Sequence, residues 1–279
     1  MKGARESAGR MALIAGNTLR EGLRQRLLLL LVPAGGLLVG GGRLLQDVNF
    51  GTTDRRFLLD VGFGAISFLG AVLAIAAAAQ LFFSEIDRRS ALLVLARPVS
   101  RTEFTLGKLG GILGLLLLFC AAMTLILAGL VLWREGGGTL SRGGGEAESD
   151  GWRDMANLAV CGWVQWLRLG VLAGMTLLAA SYARSALFAV AAGFLALALC
   201  QLQHVAVGIY RLAESPWAGA GAGLLSWVVP DFEVFNVADA MATGASLPPG
   251  LVGRITIYGF AYIGAFGGLA VYCFRHREL

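Results

Sequence analysis

Six long apolar runs constrain the fold of this chain more than any other feature of its sequence. Each is about 20 residues long, the length that an α-helix needs to cross a hydrocarbon core of about 30 Å. Only 15% of the residues are charged and 57% are hydrophobic, whereas soluble proteins contain about 25% charged residues. The sequence therefore predicts an all-α polytopic membrane protein with about six transmembrane helices in a single domain, residues 1–279. The predicted spans are 27–45, 61–83, 109–133, 158–182, 186–206 and 254–274.

The first predicted span is the weakest of the six, and a basic amphipathic segment precedes it. Pro33 and several nearby glycines interrupt the apolar run, so we expect this span to be kinked or short. Residues 1–26 place apolar side chains at helical spacing and arginines on another side, a pattern typical of a helix at a membrane interface. A solvated helix that leads into the first span is the alternative. The apolar positions are Met11, Ala15, Leu19 and Leu23.

Basic residues are unevenly distributed between the two sides of the predicted membrane. With the N-terminus inside, the cytoplasmic segments contain 14 of the 23 Lys and Arg residues but only six of the 18 acidic residues. Lys and Arg next to membrane spans stay in the cytoplasm, so both termini are predicted to be cytoplasmic. Arginine outnumbers lysine by 21 to 2, as in proteins from GC-rich bacterial genomes. We therefore expect a bacterial cell inner (cytoplasmic) membrane location.

Two segments fall on the outer side in this topology. Residues 134–156 are rich in glycine and acidic residues, which predicts a flexible connector. Residues 207–253 contain too many apolar residues for a free coil, including Trp217, Trp227 and Phe232. They predict a partly helical external loop at the outer membrane interface, where tryptophan is enriched.

The stretch SEIDRRSALLVLARPVSRTEFTLGK, residues 84–108, is a charged segment between two apolar runs. It contains eight charged residues, too many to enter lipid, so it predicts a cytoplasmic loop between spans 2 and 3. Ser84 and Ser100 are each followed three residues later by an acid, which matches the capping box at a helix start. Pro98 forbids a continuous helix between them. We predict a short helix near 85–95, a corner at Pro98 and a second helix that enters span 3.

This loop resembles the cytoplasmic loop of permease subunits of ATP-binding-cassette (ABC) transporters of the type 2 export class. Those permeases have an acidic residue, a run of leucines, Pro-x-Ser-Arg and Gly-Lys before the third span. Weaker similarity extends to GNTLREGLRQR before the first span, SYARSAL between spans 4 and 5, and VPDFEVFN and FRHREL near the end. Arg89 departs from the family pattern, which often has glycine there. The matching residues in the loop are Glu85, Leu92, Leu93, Leu95, Pro98, Ser100, Arg101, Gly107 and Lys108.

The resemblance implies a permease subunit of an ATP-driven transporter, with export as the habit of the class. The short helix of the loop would then be a coupling helix that sits in a cleft of a separate ABC ATPase subunit. ATP and Mg²⁺ would bind to that partner, and this chain would hold no cofactor. A second copy or a related permease would complete a dimer in the lipid bilayer, and no nucleic-acid partner is expected. The implied docking residues are Glu85, Asp87, Arg88, Arg97, Pro98 and Arg101.

The sequence contains no phosphate-binding GxxxxGK[ST] loop, because Leu109 follows Gly107 and Lys108. ATP hydrolysis is therefore expected in another polypeptide, and the chain is not predicted to be an enzyme. Its cysteines are scattered through apolar runs, which favours packing over metal binding or disulfides. They are Cys120, Cys161, Cys200 and Cys273.

Two other functions fit the composition. One is a membrane scaffold or assembly factor without transport. The other is an intramembrane hydrolase, which would need a base beside a nucleophilic serine, and neither histidine shows a motif with one. The serines in question are Ser67, Ser226 and Ser246, and the histidines are His204 and His276.

Arg168 lies inside the fourth apolar run, where a charge is costly and often functional. Counting about 1.5 Å per residue back from Arg184 places it about 24 Å from the inner side, near the outer surface. One interpretation is that it snorkels beside Trp163 and Trp166. The other is contact with cargo or a gate. The candidate pathway residues are Gln165, Arg168, Gln201, Gln203 and His204.

Overall fold

The computed structural model describes residues 2–44, 54–87, 100–138, 147–212, 228–237 and 249–276. Over these ranges the chain forms seven α-helices and one short 3-10 turn, which confirms the predicted all-α class. The helices are α1 (Lys2–Leu23), α2 (Arg26–Leu44), α3 (Asp54–Asp87), α4 (Arg101–Gly138), α5 (Ala147–Tyr182), α6 (Ala186–Leu212) and α7 (Pro249–Arg275), and the turn is Glu233–Phe235.

Helices α3 to α7 are long and apolar enough to cross a membrane. Each contains one of the last five predicted spans, because the length of an apolar run is a local property that the sequence carries directly. The chain is therefore a multi-pass membrane protein. The candidate spans are Phe57–Ser84, Arg101–Trp133, Met155–Tyr182, Ala186–Ile209 and Gly250–Arg275.

The first predicted span has a different form from the other five. Segments Gly9–Leu23 and Leu28–Gly41 qualify as a span only together, and they meet at an angle of 61°. The bend lies at Arg24 and Gln25, between α1 and α2. Pro33 lies inside α2 without ending it, since membrane helices tolerate the loss of one backbone hydrogen bond. The bend therefore precedes the predicted span, 27–45, and does not lie at the proline or the glycines from which a kink was predicted.

The centre of the bundle is α5, which packs against α3, α4, α6 and α7. Gly170 and Gly174 let Ile263 and Phe266 of α7 approach its backbone closely. This glycine spacing therefore serves packing within the chain. Helices α6 and α7 also expose large apolar side chains, as helices that face lipid do. These include Leu187, Leu195, Leu202, Ile209, Ile257 and Leu269.

Helix α1 packs along the first turns of α4 through a face of glycines. A Cβ added at Gly107 would lie 2.8 Å from Ile14 Cβ, and one added at Gly111 would lie 2.5 Å from Thr18 Cβ. Glycine at these two positions lets the helices approach this closely. One side of α1 therefore contacts protein, and its location at the membrane interface stays a prediction.

The prediction of a flexible connector over residues 134–156 is wrong at both ends of that range. Helix α4 continues to Gly138 and α5 begins at Ala147. The first residues of α5 are AESD, and acidic side chains near a helix N-terminus stabilise it by facing the positive end of its dipole. Composition typical of a linker is thus compatible with helix here.

Candidate functional site

Helix α4 begins at the capping box predicted for Ser100 and Glu103. Ser100 Oγ accepts a hydrogen bond from the Glu103 backbone N–H (3.2 Å), and Glu103 Oε2 accepts one from the Ser100 N–H (3.0 Å). The same carboxylate reaches α1, where Ser7 Oγ donates to Oε1 at 2.5 Å and Arg10 Nη2 donates to it at 3.1 Å. Glu103 therefore joins the first turn of α4 to α1.

Replacing Glu103 with Ala is expected to lower the melting temperature by a few degrees, because the cap of α4 and the acceptor for Ser7 and Arg10 are both lost. Glu103→Gln retains an acceptor for the cap, so its loss should be smaller. Thermal unfolding of the purified protein in mild detergent measures both variants. Equal melting temperatures for all three proteins would contradict a stabilising role for this contact.

The end of α3 lies beside α1 and α4. Ser84 Oγ lies 3.2 Å from Glu21 Oε1 and 3.2 Å from the Leu81 carbonyl oxygen. The sequence predicted a helix start at Ser84, and this prediction is wrong because α3 runs through Ser84 to Asp87. Lys108 is fully buried, and its Nζ donates to the same Leu81 carbonyl. A buried ammonium therefore links α4 to α3.

Arg101 links the start of α4 to the end of α7. Its Nη1 donates to the carbonyl oxygens of Phe274 (3.3 Å) and Arg275 (3.2 Å), where the last carbonyls of a helix lack backbone partners and attract cations. The rings of Phe82 and Phe104 lie 5.5 Å and 5.9 Å from the Phe274 ring. Helices α1, α3, α4 and α7 thus meet at one place, which we name the α4 joint. It consists of Ser84, Arg101, Glu103, Lys108 and Phe274.

Farther along α5, Arg168 contacts α3 and segment 228–237, which is part of the predicted external loop. Its Nη1 donates to Ser67 Oγ at 2.7 Å, and its guanidinium lies 5.1 Å from the ring centroid of Phe232. Trp163 and Trp166 pack on each other, with ring centroids 4.7 Å apart. Arg168 therefore turns towards α3 rather than towards the predicted tryptophan pair.

Two cavities flank Arg168, and both are lined by Gly64, Ser67 and Arg168 itself. The first has a volume of about 240 Å³ and the second about 280 Å³. Polar residues of the first, here called the outer cavity, include Asp60, Gln165 and Asn236. The second, here called the inner cavity, is mainly apolar and includes Ala71, Leu169, Leu172, Leu197 and Gln201.

The structure brings two of the candidate pathway residues beside Arg168 and leaves two apart. Gln165 lines the outer cavity and Gln201 lines the inner cavity. Gln165 is buried, and its Nε2 has no hydrogen-bond partner. Gln203 and His204 line neither cavity.

Segment 228–237 is held against α7 and α6. The Asp231 backbone N–H donates to Tyr258 Oη at 3.0 Å, and Asp231 Oδ2 lies 3.4 Å from His204 Nδ1. Phe232 and Phe235 are buried. The 3-10 turn Glu233–Phe235 gives this part of the predicted external loop its helical character.

A family model described as ABC-2 family transporter protein matches residues 7–249. The chain belongs to the ABC-2 transporter family. It is a membrane transport component, a permease, as the resemblance of its charged loop implied. A search of curated proteins found no match. The matched residues include Arg168 and every residue of the α4 joint except Phe274.

The docking residues predicted for this ABC-2 permease lie on both sides of the α4 joint. Glu85 and Asp87 are in the last turn of α3. Arg101 is in the joint, so it has a structural contact besides any docking role. Arg88, Arg97 and Pro98, with most of the predicted helix 85–95, lie outside the described residues.

The described residues give no support to hydrolase chemistry in this ABC-2 permease. Ser67 Oγ accepts the hydrogen bond from Arg168, which is a cation and cannot act as a base. His204 contacts Asp231, and His276 contacts the Tyr272 carbonyl at 3.0 Å. Ser226 and Ser246 lie outside the described residues. Among the described residues there is no group of three or more His, Cys, Asp or Glu that could hold a metal ion.

Sequence reasoning missed the structural role of Lys108 and the partner of Arg168. Lys108 was part of the family pattern, but its burial against Leu81 depends on residues 27 positions apart. Ser67 and Arg168 are 101 positions apart. The sequence does show that a cation lies inside an apolar run, which requires an acceptor somewhere in the fold. It does not show which residue that acceptor is.

Proposed function

We propose that this ABC-2 permease forms the membrane pathway of an ATP-driven exporter and is coupled to a separate ABC ATPase subunit through residues 84–108. The observation that carries the proposal is the α4 joint. It connects the helix that follows the predicted coupling loop to α1, α3 and α7 through buried and partly buried hydrogen bonds.

The joint can transmit motion as a rigid unit. When ATP binding draws two ATPase subunits together, a docked loop would move with them and pull on Asp87 at one end and Ser100 at the other. Because Glu103, Lys108 and Arg101 fix the start of α4 to three other helices, that pull would tilt the helices together rather than unwind α4.

The remaining parts of the proposal follow from family habit and from charge. Two permeases, identical or related, would form one pathway in a bacterial inner membrane, with both termini in the cytoplasm. Arg168, with Gln165 and Gln201 beside it, would line the outer half of that pathway. His204 would act on it indirectly, through Asp231 and segment 228–237.

Co-purification tests the coupling. The tagged protein is isolated from native membranes in mild detergent, and its partners are identified and quantified by mass spectrometry. We expect a Walker-type ATPase near one to one. The double variant Arg88→Glu and Arg97→Glu should lose most of it, because charge reversal replaces attraction with repulsion at the interface.

Arg184→Glu is the matched control, since it reverses the charge of an exposed arginine outside residues 84–108, in the short turn between α5 and α6. It should retain the ATPase. Equal recovery from the double variant would contradict docking through residues 84–108. Absence of any ATPase from the intact wild type would contradict the whole proposal and favour a membrane scaffold.

A further inference from the structure

The guanidinium of Arg168 has more hydrogen-bond donors than its protein partners use. An arginine side chain carries five N–H donors. Among the described residues, Arg168 has one acceptor, Ser67 Oγ, and one aromatic contact, the Phe232 ring. A cation within an apolar span is costly unless its donors find acceptors. The Glu233 carboxylate interacts electrostatically with Arg168, but Ser67 Oγ is the one acceptor that its N–H groups reach among the described residues. The other donors of Arg168 are therefore available to an anionic group from outside the protein.

The two cavities show where such an anion would lie and what would be attached to it. The outer cavity contains Gln165, whose buried Nε2 has no partner. Gln165 lies three residues before Arg168 on α5, so the two side chains are neighbours on one face of the helix. The inner cavity continues from Arg168 along apolar side chains of α3, α5 and α6. Asp60 also lines the outer cavity, and its carboxylate disfavours a ligand with several negative charges.

We propose that the Arg168 site binds an amphiphile with one anionic head, a carboxylate or a phosphate monoester or diester, and an apolar tail. The head contacts Arg168 and Gln165, and the tail occupies the inner cavity. This inference rests on the proposed transport function, for which it names the class of cargo. A neutral amphiphile would offer no charged acceptor to the remaining N–H donors of Arg168, and a free inorganic anion would leave the inner cavity unfilled.

Palmitate binding to the purified protein tests the proposal. The full chain is reconstituted in nanodiscs of zwitterionic phosphatidylcholine, and binding of radiolabelled palmitate is measured by scintillation proximity. We expect saturable binding that unlabelled palmitate displaces and that methyl palmitate and inorganic phosphate do not. Arg168→Gln should weaken binding by about tenfold or more, the effect of losing a charge-assisted contact. Displacement by either methyl palmitate or phosphate would overturn the proposal.

Two variants separate the site from general damage. Arg184→Gln removes an exposed arginine from the turn between α5 and α6 and should bind as the wild type does. Arg168→Lys retains a cation at the site and should retain most of the binding, so it provides a second test if Arg168→Gln does not fold. Unchanged binding in a folded Arg168→Gln, or lost binding in a folded Arg168→Lys, would overturn the assignment.

Further arms identify the source of the ligand and separate this inference from coupling. If the site binds an anionic bilayer lipid, adding phosphatidylglycerol to the nanodiscs will reduce palmitate binding through competition. If the site binds a single-chain acid, palmitate binding will be the same with and without phosphatidylglycerol. Either result supports an anionic amphiphile. ATPase co-purification is measured on the same preparation. Recovery of the ATPase without saturable palmitate binding would overturn the proposed ligand class and leave the coupling proposal intact. Saturable palmitate binding without recovery of the ATPase would overturn the coupling proposal and leave the ligand class intact.

Discussion

Gly111→Ala is expected to lower the free energy of unfolding by about 1–3 kcal/mol, the usual effect of overpacking a tight contact. The new Cβ would lie 2.5 Å from Thr18 Cβ and 2.7 Å from the Ala15 carbonyl oxygen. The carbonyl belongs to the backbone of α1, so no side-chain rotation can relieve the clash, and α1 must move away from α4. Unfolding by titration with a denaturing detergent, followed by circular dichroism, gives the free energies to compare.

The neighbouring residue supplies the control. At Gly110 the nearest atom to an added Cβ is Ala15 Cβ, at 3.6 Å, which is an ordinary contact. Alanine also favours a helix over glycine by about 1 kcal/mol, so Gly110→Ala should be neutral or stabilising. Equal losses at both positions would contradict the close packing of α1 on α4 and favour a helix free at the membrane interface.

The parts of this fold that depend on local pattern could be predicted from sequence. The five spans of α3 to α7 follow from apolar length, and the start of α4 follows from the spacing of Ser100 and Glu103. The same spacing failed at Ser84, because α3 continues through it and its hydroxyl finds the Leu81 carbonyl instead. A capping pattern is informative only where the preceding chain is not already helical.

The parts that depend on distant partners could not be predicted. Arg168 was identified as unusual from its position in an apolar run, but its direction depends on Ser67 and Phe232, which tertiary packing places beside it. Likewise the stripe of α1 looked suited to lipid, whereas in the fold it meets glycines of α4. Hydrophobic periodicity identifies a face but does not identify what covers it.

Lys108→Glu is expected to be the most damaging single change at the α4 joint, at about 3–5 kcal/mol, because it leaves an uncompensated buried charge. The wild-type ammonium is fully buried, donates to the Leu81 carbonyl and lies 5.6 Å from the Phe104 ring centroid. A carboxylate in this place would face an acceptor and the negative face of an aromatic ring. The same detergent titration measures the loss.

Lys108→Met separates charge from volume at this position. It retains most of the apolar stem but removes the charge-assisted hydrogen bond, so a smaller loss of about 1.5–3 kcal/mol is expected. Ser84 still donates to the Leu81 carbonyl in this variant, which limits the cost. If the joint depends on a cation, the free energy of unfolding should fall from wild type to Lys108→Met and again to Lys108→Glu. If Met and Glu were equally stable, shape alone would hold α4 to α3, and the ammonium would not be the link through which a pull on the loop reaches the bundle.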